Sequence, residues 1–451
     1  MLLSATPGAV ARPAAGAAHD PRYRWAVLFV AFLAVFGALG LGRFGYSSVL
    51  PSMQKNLGFS NVQAGALATW NLVGYVLMAV VAGVMATRFG ARPVIAVGLL
   101  VAGLAMAATG LVHGFAGASA ARLFTGVGAG VVNVPAVALM SLWFGARRRG
   151  LASGFVVSGS SLALVLVGPT VPRMISAGGA DGWRNVWFVF GAITIVLALV
   201  AALVVRNRPH DAGAALLADA APAAAAKAAQ PRRSLAKDAR RVFGSPYFWS
   251  LGVVYVAFGF SYMIYMTFFV RRLTGDVGLS ADRAGSLFMV LGWASLVCGV
   301  LWGWVSDVIG RKFALAIVLT MHATAFALFA LWTGTTGLTL SALIFGVTAW
   351  SVPGIMGAAC ADGFGPALAS SALGFLTLFL GVGQAAGPLV GGAMADRYSS
   401  FTSAFLLAAG VAAFGAVAAL FIRRAAPASA AAPVPAVVGE CAAADSMQVS
   451  S

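Results

Sequence analysis

The chain has 451 residues, of which 61% are hydrophobic and 9% charged, whereas a soluble domain carries about a quarter charged residues. So few charges cannot form a water-soluble surface, which excludes an ordinary soluble protein. The net charge of +17 does not indicate a nucleic-acid-binding face, because most basic residues lie in short breaks between apolar runs. Two of the three cysteines lie inside apolar runs, so no disulfide framework is predicted.

The N-terminal residues 1–21 are rich in alanine, proline and glycine, and we expect them to be a disordered cytoplasmic segment. The apolar run that follows, at 25–50, is longer than the core of a signal peptide, which has roughly 7 to 15 residues. This run therefore predicts an uncleaved first membrane helix.

Twelve apolar runs are long enough to cross a hydrocarbon core of roughly 30 Å. They cover 25–50, 62–86, 93–113, 116–143, 151–177, 184–206, 246–272, 283–306, 313–334, 337–361, 369–395 and 399–423. Each must be helical, because a lone segment in lipid has no other way to satisfy its backbone polar groups. The predicted architecture is an all-α membrane protein with an N-terminal six-helix bundle at 22–206, a cytoplasmic linker at 207–245, a C-terminal six-helix bundle at 246–424 and a disordered cytoplasmic tail at 425–451.

Lysine and arginine are concentrated on one side of this topology. The N-terminal segment, the linker and the short loops on the same side hold most of the 29 basic residues. Cytoplasmic loops carry such an excess, so both termini and the linker are predicted to lie in the cytoplasm.

An internal repeat relates the two halves. The segment 59–65 (FSNVQAG) aligns with 279–285 (LSADRAG), and 83–93 aligns with 303–313, each pair separated by 220 positions. Two parallel six-helix halves predict a pseudo-two-fold axis along the membrane normal, an arrangement that supports alternating access to a central site.

The repeated loop carries a spaced pattern of glycines and charges, which in the second half comprises Gly303, Asp307, Gly310, Arg311 and Lys312. This pattern resembles the signature of the major facilitator superfamily (MFS). The first half keeps Gly83, Gly90 and Arg92 but has Thr87 where the acid belongs. The resemblance implies the twelve-helix MFS fold, a bacterial cytoplasmic membrane and a latch between the cytoplasmic faces of the two halves, weakened or rewired by Thr87.

Two further patterns are similar to those of MFS proteins. Arg122 opens the fourth helix ahead of a glycine ladder, and the eleventh helix carries a glycine series that includes Gly387 and Pro388. The resemblance links the second pattern to drug and metabolite antiporters, in which it belongs to the fifth helix. Close helix packing in lipid is an equally good interpretation of the glycines.

The resemblance implies that the first, fourth, seventh and tenth helices line a central cavity. Arg43 on the first helix is a charge inside the apolar region, so it should face water, a partner or a ligand, although a long side chain could also reach the outer interface. The other candidates for substrate binding are polar or amphipathic residues on the predicted lining helices: Tyr46, Asn71, Tyr75, Asn133, Tyr262, Tyr265, Trp350 and Gln384. Each of these could instead serve packing or anchor the chain at the interface.

Acidic residues are missing from the predicted membrane interior. All twelve fall in tails, loops or helix ends, and His322, on a helix that should be peripheral, is expected to have a packing role. Buried basic residues without a buried acid favour an anionic substrate, moved by exchange, by uniport or together with a proton on the substrate.

The predicted function is a secondary transporter, acting as a monomer in the lipid bilayer on a small organic anion such as a monocarboxylate. An exporter of drugs or amphipathic metabolites and a transporter-like sensor are alternatives. An enzyme is not expected, because no cluster of acids, histidines or nucleophiles is visible. The sequence also has no Gly-Lys pair of an ATP-binding loop, and neither a cofactor, a metal nor nucleic acid is implied.

Overall fold

The computed structural model describes residues 22–145, 148–207 and 235–422. The predicted segments 1–21 and 425–451 and most of the linker therefore lie outside the described residues. All regular structure in the described part is helical. The helices that cross the molecule are labelled α1 to α12. They cover α1 Tyr23–Leu57, α2 Asn61–Phe89, α3 Ala91–Leu111, α4 Phe115–Trp143, α5 Arg149–Val157 with Gly159–Gly178, α6 Gly182–Val204, α7 Pro246–Gly275, α8 Ala281–Ser295 with Cys298–Ile309, α9 Arg311–Leu331, α10 Thr335–Gly365, α11 Ser371–Tyr398 and α12 Thr402–Leu420.

The helix α8 is bent, and α5 and α6 lie in one continuous apolar stretch. The two parts of α8 meet at an angle of 44°, and they count as one crossing because glycine turns like those beside α2 lie before and after them. The apolar stretch Arg149–Val204 has 56 residues, too many for one crossing of a core about 30 Å thick. It reverses direction at Gly179, where φ is +61°, and this divides it into α5 and α6. The described helices thus agree with the predicted twelve crossings.

The sequence repeat is also a structural repeat. Gly58 and Gly278, which follow α1 and α7, both have positive φ, at 67° and 75°. Gly90 and Gly310, which precede α3 and α9, have φ of 88° and 90°. Each pair is 220 residues apart, and each adopts a conformation that favours glycine. The same turns therefore connect equivalent helices in both halves.

The halves touch each other at one end of the molecule, which holds the α1–α2 and α11–α12 turns and is called the closed end. There Gly65 of α2 lies against the carbonyl of Pro388 in α11, and Gly168 of α5 lies against Gly285 in α8. A side chain at these glycines would collide with backbone, so the small residues permit the close approach of helices from different halves.

The opposite end, with the α2–α3 and α8–α9 turns, is called the open end. The same four helices carry Gly83, Gly154, Gly303 and Gly374 towards this end, and a methyl group added at any of them would meet nothing within 4 Å. Hydrogen bonds between the halves, among the described residues, run from the middle of the helices to the closed end. Among the described residues, no hydrogen bond joins the halves at the open end.

Part of the predicted linker forms a short helix, Leu235–Phe243, at the open end. Val242 is buried, and the ring of Phe243 packs against Phe248 of α7 and Phe375 of α11. The Asp238 carboxylate accepts a hydrogen bond from the Ser371 hydroxyl at 3.3 Å. The linker helix is thus attached to the second half.

Candidate functional site

Arg43 lies on a widened segment of α1. Residues Phe36–Phe44 form a π-helix between two α-helical parts, a geometry that is often found at functional sites. Its glycines allow close neighbours, and Gly40 packs directly against Ala163 of α5. The Arg43 side chain is only 8% exposed and points into the interior, not to the outer interface.

The guanidinium of Arg43 is surrounded by tyrosines from both halves. It lies 4.1 Å from the centre of the Tyr75 ring on α2 and within hydrogen-bonding reach of the Tyr262 hydroxyl on α7. Asn133 of α4 donates its Nδ2 hydrogen to the Tyr75 hydroxyl at 2.9 Å. Gln384 of α11 donates its Nε2 hydrogen to the Tyr262 hydroxyl at 2.5 Å. These contacts place Arg43 at the boundary between the halves.

Trp350 completes this surface from α10. It occupies the break in α10 between Thr348 and Ser351, where the chain can turn the indole towards the centre. Its ring stands edge-on to Tyr262 with centroids 6.5 Å apart and lies 4.8 Å from the ring of Phe44. Trp350 therefore adds an aromatic ring beside Tyr262 and Phe44, both neighbours of Arg43.

A second buried guanidinium, that of Arg122 on α4, is 1% exposed. Its Nη1 group donates to the carbonyl of Gly42 at 2.6 Å, and its charge lies over the rings of Tyr46 and Trp187 at 4.7 and 5.4 Å. Asn71 of α2 donates from Nδ2 to the Arg122 carbonyl at 3.2 Å. Arg122 thus fixes the π-helical turn that carries Arg43, and this contact is structural.

Both guanidinium groups line one small cavity between the halves. Its lining consists of Arg43, Phe44, Tyr46, Ser47, Ala68, Asn71 and Arg122 from the first half and Met263, Met266 and Thr267 from the second. Several buried polar atoms of this lining have no hydrogen-bond partner: Nε and Nη2 of Arg43, Nε of Arg122, Oδ1 of Asn71 and Oγ of Ser47. Unpaired buried donors are costly, so the lining is suited to receive an acceptor.

The acids that could neutralise these arginines lie elsewhere. Among the described residues, no carboxylate lies within 4 Å of Arg43 or Arg122; the ion pairs described involve other arginines. The described acids lie at or near helix ends or on the linker helix: Asp181, Asp238, Asp276, Asp282, Asp307, Asp362 and Asp396. The cavity is therefore positively charged, and arginine binds carboxylates through paired hydrogen bonds.

Of the candidates from the sequence, Arg43, Tyr46 and Asn71 line the cavity. Tyr75, Asn133, Tyr262, Trp350 and Gln384 lie beside it, in the contacts given above, whereas Tyr265 takes no part in either group. Tyr265 lies in the core of the second half, where its hydroxyl bonds to Ser341 at 2.8 Å and its ring packs against Phe326 and Phe345. His322 is buried nearby and stacks on Phe258. The expectation that Tyr265 lines the cavity is corrected by this placement, since the side chain points away from the other half.

The repeated MFS-like loops lie at the open end. In the second half Arg311 forms an ion pair with Asp307, and it also donates to Asp362 at 2.9 Å and to the Ser306 hydroxyl at 2.7 Å. These contacts join α8, α9 and α10. The Lys312 ammonium lies over the Phe313 ring at 4.8 Å.

The first-half copy makes different contacts. Arg92 donates from Nε to the Ala202 carbonyl at 2.6 Å and from its backbone to Asn207 at 2.9 Å. Within the described part of the chain, Thr87 donates only to the Val84 carbonyl in its own helix. Each copy thus holds its own half together, and among the described residues no hydrogen bond or ion pair joins the two copies. Gly387 packs against the Phe260 carbonyl of α7, which is consistent with a packing role.

A polar network at the closed end is not predicted from the sequence. Arg271 of α7 donates from Nε to Gln54 of α1 at 3.0 Å, and Gln54 donates from Nε2 to Asn61 of α2 at 2.8 Å. Asp396 of α11 then accepts hydrogen bonds from the backbone of Asn61 and Val62. These polar residues stand near helix ends, where solvation is the ordinary explanation, so no pattern in the sequence identifies them as partners.

Solved structures support the fold. The crystal structure of a bacterial homologue of the human lysosomal transporter Spinster, in an inward-facing and unoccupied conformation, matches with a TM-score of 0.66 and 18% identity, over 89% of this chain and 95% of that chain. The crystal structure of the nucleoside transporter NupG matches with a TM-score of 0.66 and 17% identity, over 89% of this chain and 98% of that chain. Likeness at this identity shows the fold alone.

Sequence relatives extend over most of the chain. A hexuronate transporter of Bacillus subtilis is 25% identical over 422 residues, covering 87% of this chain and 94% of that protein. A putative tartrate transporter of Agrobacterium vitis is 25% identical over 422 residues, covering 89% and 93%. A 4-hydroxybenzoate transporter of Pseudomonas putida is 27% identical over 304 residues, covering 63% and 67%.

The profile of one protein family, described as "Uncharacterised MFS-type transporter YbfB", matches residues 35–420. This match includes all twelve crossings from the π-helical segment of α1 to α12, and the family and the relatives are transporters, not enzymes. The chain therefore belongs to this family of MFS-type transporters and is a multi-pass membrane protein.

Proposed function

We propose that this protein is a secondary transporter that binds a small organic anion between its halves and moves it by alternating access. The observation that carries the proposal is the pair of buried guanidinium groups, Arg43 and Arg122, on one cavity with unpaired donors and no carboxylate within 4 Å among the described residues. Burial of a charge without a partner is strongly unfavourable. An anion would supply the missing acceptor.

The carboxylate of the substrate would bind to Arg43. Nε and Nη2 are the two unpaired nitrogens of this side chain, and they form one edge of the guanidinium, which is suited to a bidentate contact. Each charge-assisted hydrogen bond contributes about 1.5 to 3 kcal/mol. Asn71 and Ser47 would serve hydroxyl groups of the substrate, and Trp350 would contact an apolar or aromatic part of it.

The relatives agree with an anion. Their names refer to hexuronate, L-galactonate, tartrate and 4-hydroxybenzoate, all of which carry a carboxylate near neutral pH. A monocarboxylate remains the specific form of the proposal. Export of cationic drugs is disfavoured, because a positively charged cavity repels cations.

The protein would lie in the bacterial cytoplasmic membrane with its open end and termini in the cytoplasm. The α2–α3 turn, the start of α5, the linker helix and the α8–α9 turn all bring basic residues to the open end, as the positive-inside rule requires of the cytoplasmic side. The described conformation would then face inward. One chain supplies the cavity lining from both halves, which supports function as a monomer driven by solute gradients.

The test is uptake by the purified protein in liposomes. We would measure labelled glucuronate, tartrate, 4-hydroxybenzoate and lactate, with liposomes that contain the same unlabelled anion. Uptake of at least one of them is expected, with loss in Arg43→Ala and normal uptake in the exposed control Arg283→Ala. Unchanged anion uptake by Arg43→Ala, or transport restricted to cationic and neutral solutes, contradicts the proposal.

A further inference from the structure

We infer that the carrier is an obligate exchanger. Its binding site can switch from one side of the membrane to the other while an anion is bound, but not while the site is empty. The inference rests on the proposed anion site and concerns the return step of the transport cycle. A carrier that returns empty gives net uptake, whereas an obligate exchanger gives only one-for-one exchange of an outside anion for an inside anion.

The first ground is the number and position of the charges. Arg43 and Arg122 line one cavity, on α1 and α4, and each is nearly inaccessible to solvent. Both groups are thus already largely desolvated in this conformation. Closure of both ends, through which every alternating-access cycle must pass, removes the remaining access to water and leaves two like charges in a low dielectric.

The second ground is what the protein itself offers these charges. Arg122 has the Gly42 carbonyl and two aromatic faces, and Arg43 has the Tyr75 face and the Tyr262 hydroxyl. These are neutral partners. Nε of both arginines and Nη2 of Arg43 keep no acceptor among the described residues.

The third ground is the lack of a titratable group that could change the charge of the empty cavity. Its described lining holds no aspartate, glutamate or histidine. His322 is in the core of the second half, against Phe258 and Phe345. At the closed end, Asp276 and Asp396 accept hydrogen bonds from other groups. A proton therefore cannot neutralise the arginines, and the transported anion is the species that can.

The structure also explains why the carrier with an anion bound would pass through the state in which both ends are closed. An anion on Arg43 offsets at least one of the two charges and fills the unpaired donors, so closure then buries a neutralised group. The exit of one anion must be followed by the entry of another before the next closure. The partner of each imported anion is thus an anion that leaves through the same site.

Anion uptake by the wild-type protein tests the inference without any variant. Liposomes are prepared either with 10-fold excess unlabelled anion inside or with impermeant buffer only, and uptake of the four labelled anions named above is followed. A potassium gradient with valinomycin holds the interior positive, so that the membrane potential favours anion entry. We expect uptake at least about 10-fold faster with internal anion.

The outcomes separate this inference from the proposed function. Equal uptake into loaded and empty liposomes overturns obligate exchange and leaves the anion carrier intact. Uptake of none of the four anions in either condition overturns both.

An added carboxylate provides a second test. Asn71 lies on the cavity next to Arg122, and its Oδ1 atom is buried without a donor, so Asn71→Asp introduces a negative charge with almost no change of shape. We expect net uptake into empty liposomes to rise toward the exchange rate. The matched control Asn185→Asp, at an exposed position on α6, should remain an exchanger. Exchange without any gain of net uptake in Asn71→Asp contradicts the charge argument.

Discussion

The Asp396 carboxylate at the end of α11 caps the first turn of α2 in the other half, through two hydrogen bonds of 2.9 Å from the backbone N–H groups of Asn61 and Val62. The N-terminus of a helix has unpaired N–H groups and a partial positive charge. The N-terminus of α2 is therefore itself the electrostatic partner of the Asp396 carboxylate. It holds the halves together at the closed end only while that end is shut.

Asp396→Asn should make the closed end open more often. A carboxylate at a helix N-terminus contributes about 1 kcal/mol, which corresponds to an opening equilibrium shifted about fivefold. The readout is a cysteine in place of Thr69, whose hydroxyl donates to the Ala385 carbonyl between α2 and α11. The closed end faces outside in the proposed orientation. In intact cells that express Thr69→Cys in a variant without native cysteines, an impermeant maleimide should therefore label this cysteine about fivefold faster when Asp396→Asn is added.

The control for this prediction is Asp282→Asn, which removes an exposed carboxylate at the same end. This substitution should leave the labelling rate unchanged. Equal labelling in both variants would mean that the contact with α2 does not stabilise the closed end.

Arg43→Lys should weaken transport although the charge is retained. Lysine lacks the planar pair of donors that binds a carboxylate, and loss of one charge-assisted hydrogen bond costs about 1.5 to 3 kcal/mol. KM for exchange should therefore rise roughly 10-fold to 100-fold, as measured from initial rates at increasing anion concentration. Arg283→Lys, at an exposed position on α8, is the matched control, and an unchanged KM in Arg43→Lys would rule out a bidentate contact.

The sequence predicts the membrane helices, whose formation is required by the surrounding lipid. Each apolar run must be a helix, and Arg43 stands out because a charge in such a run is expensive. The closed-end contacts could not be predicted, since Asn61 and Asp396 are 335 positions apart and both residue types are common at helix ends. Tyr262 and Tyr265 are neighbours on one helix, and only the packing of the helices determines which of them reaches Arg43.

These two tyrosines supply a matched pair of variants. Tyr262→Phe removes the hydroxyl that accepts from Gln384 and lies near Arg43, so KM should rise, by roughly 3-fold to 10-fold for a loss of about 1 kcal/mol. Tyr265→Phe removes the bond to Ser341 in the core and should lower the thermal denaturation temperature while KM stays unchanged. Exchange kinetics and thermal unfolding of both proteins test the assignment, which is wrong if Tyr265→Phe alters KM as much as Tyr262→Phe.

Arg311→Ala should destabilise the second half. The guanidinium holds Asp307, Asp362 and Ser306 together, but it is partly exposed, so the expected loss is only about 1 kcal/mol. A decrease of the melting temperature by about 2 to 4 °C follows. The neighbouring Lys312→Ala loses only a contact with the Phe313 ring and should melt within about 1 °C of the wild type; an equal decrease in both variants would assign the effect to net charge.

The first half lacks both members of this ion pair, because Thr87 and Ala91 occupy the positions equivalent to Asp307 and Arg311. Thr87→Asp alone should be destabilising, since it places a negative charge in the last turn of α2, near the negative end of the helix dipole. The double variant Thr87→Asp with Ala91→Arg should recover the loss through a pair like that in the second half. A double-mutant cycle of melting temperatures measures the coupling, for which we expect about 0.5 to 1 kcal/mol. Strictly additive effects would show that the two positions are not neighbours in the folded first half as their counterparts are in the second.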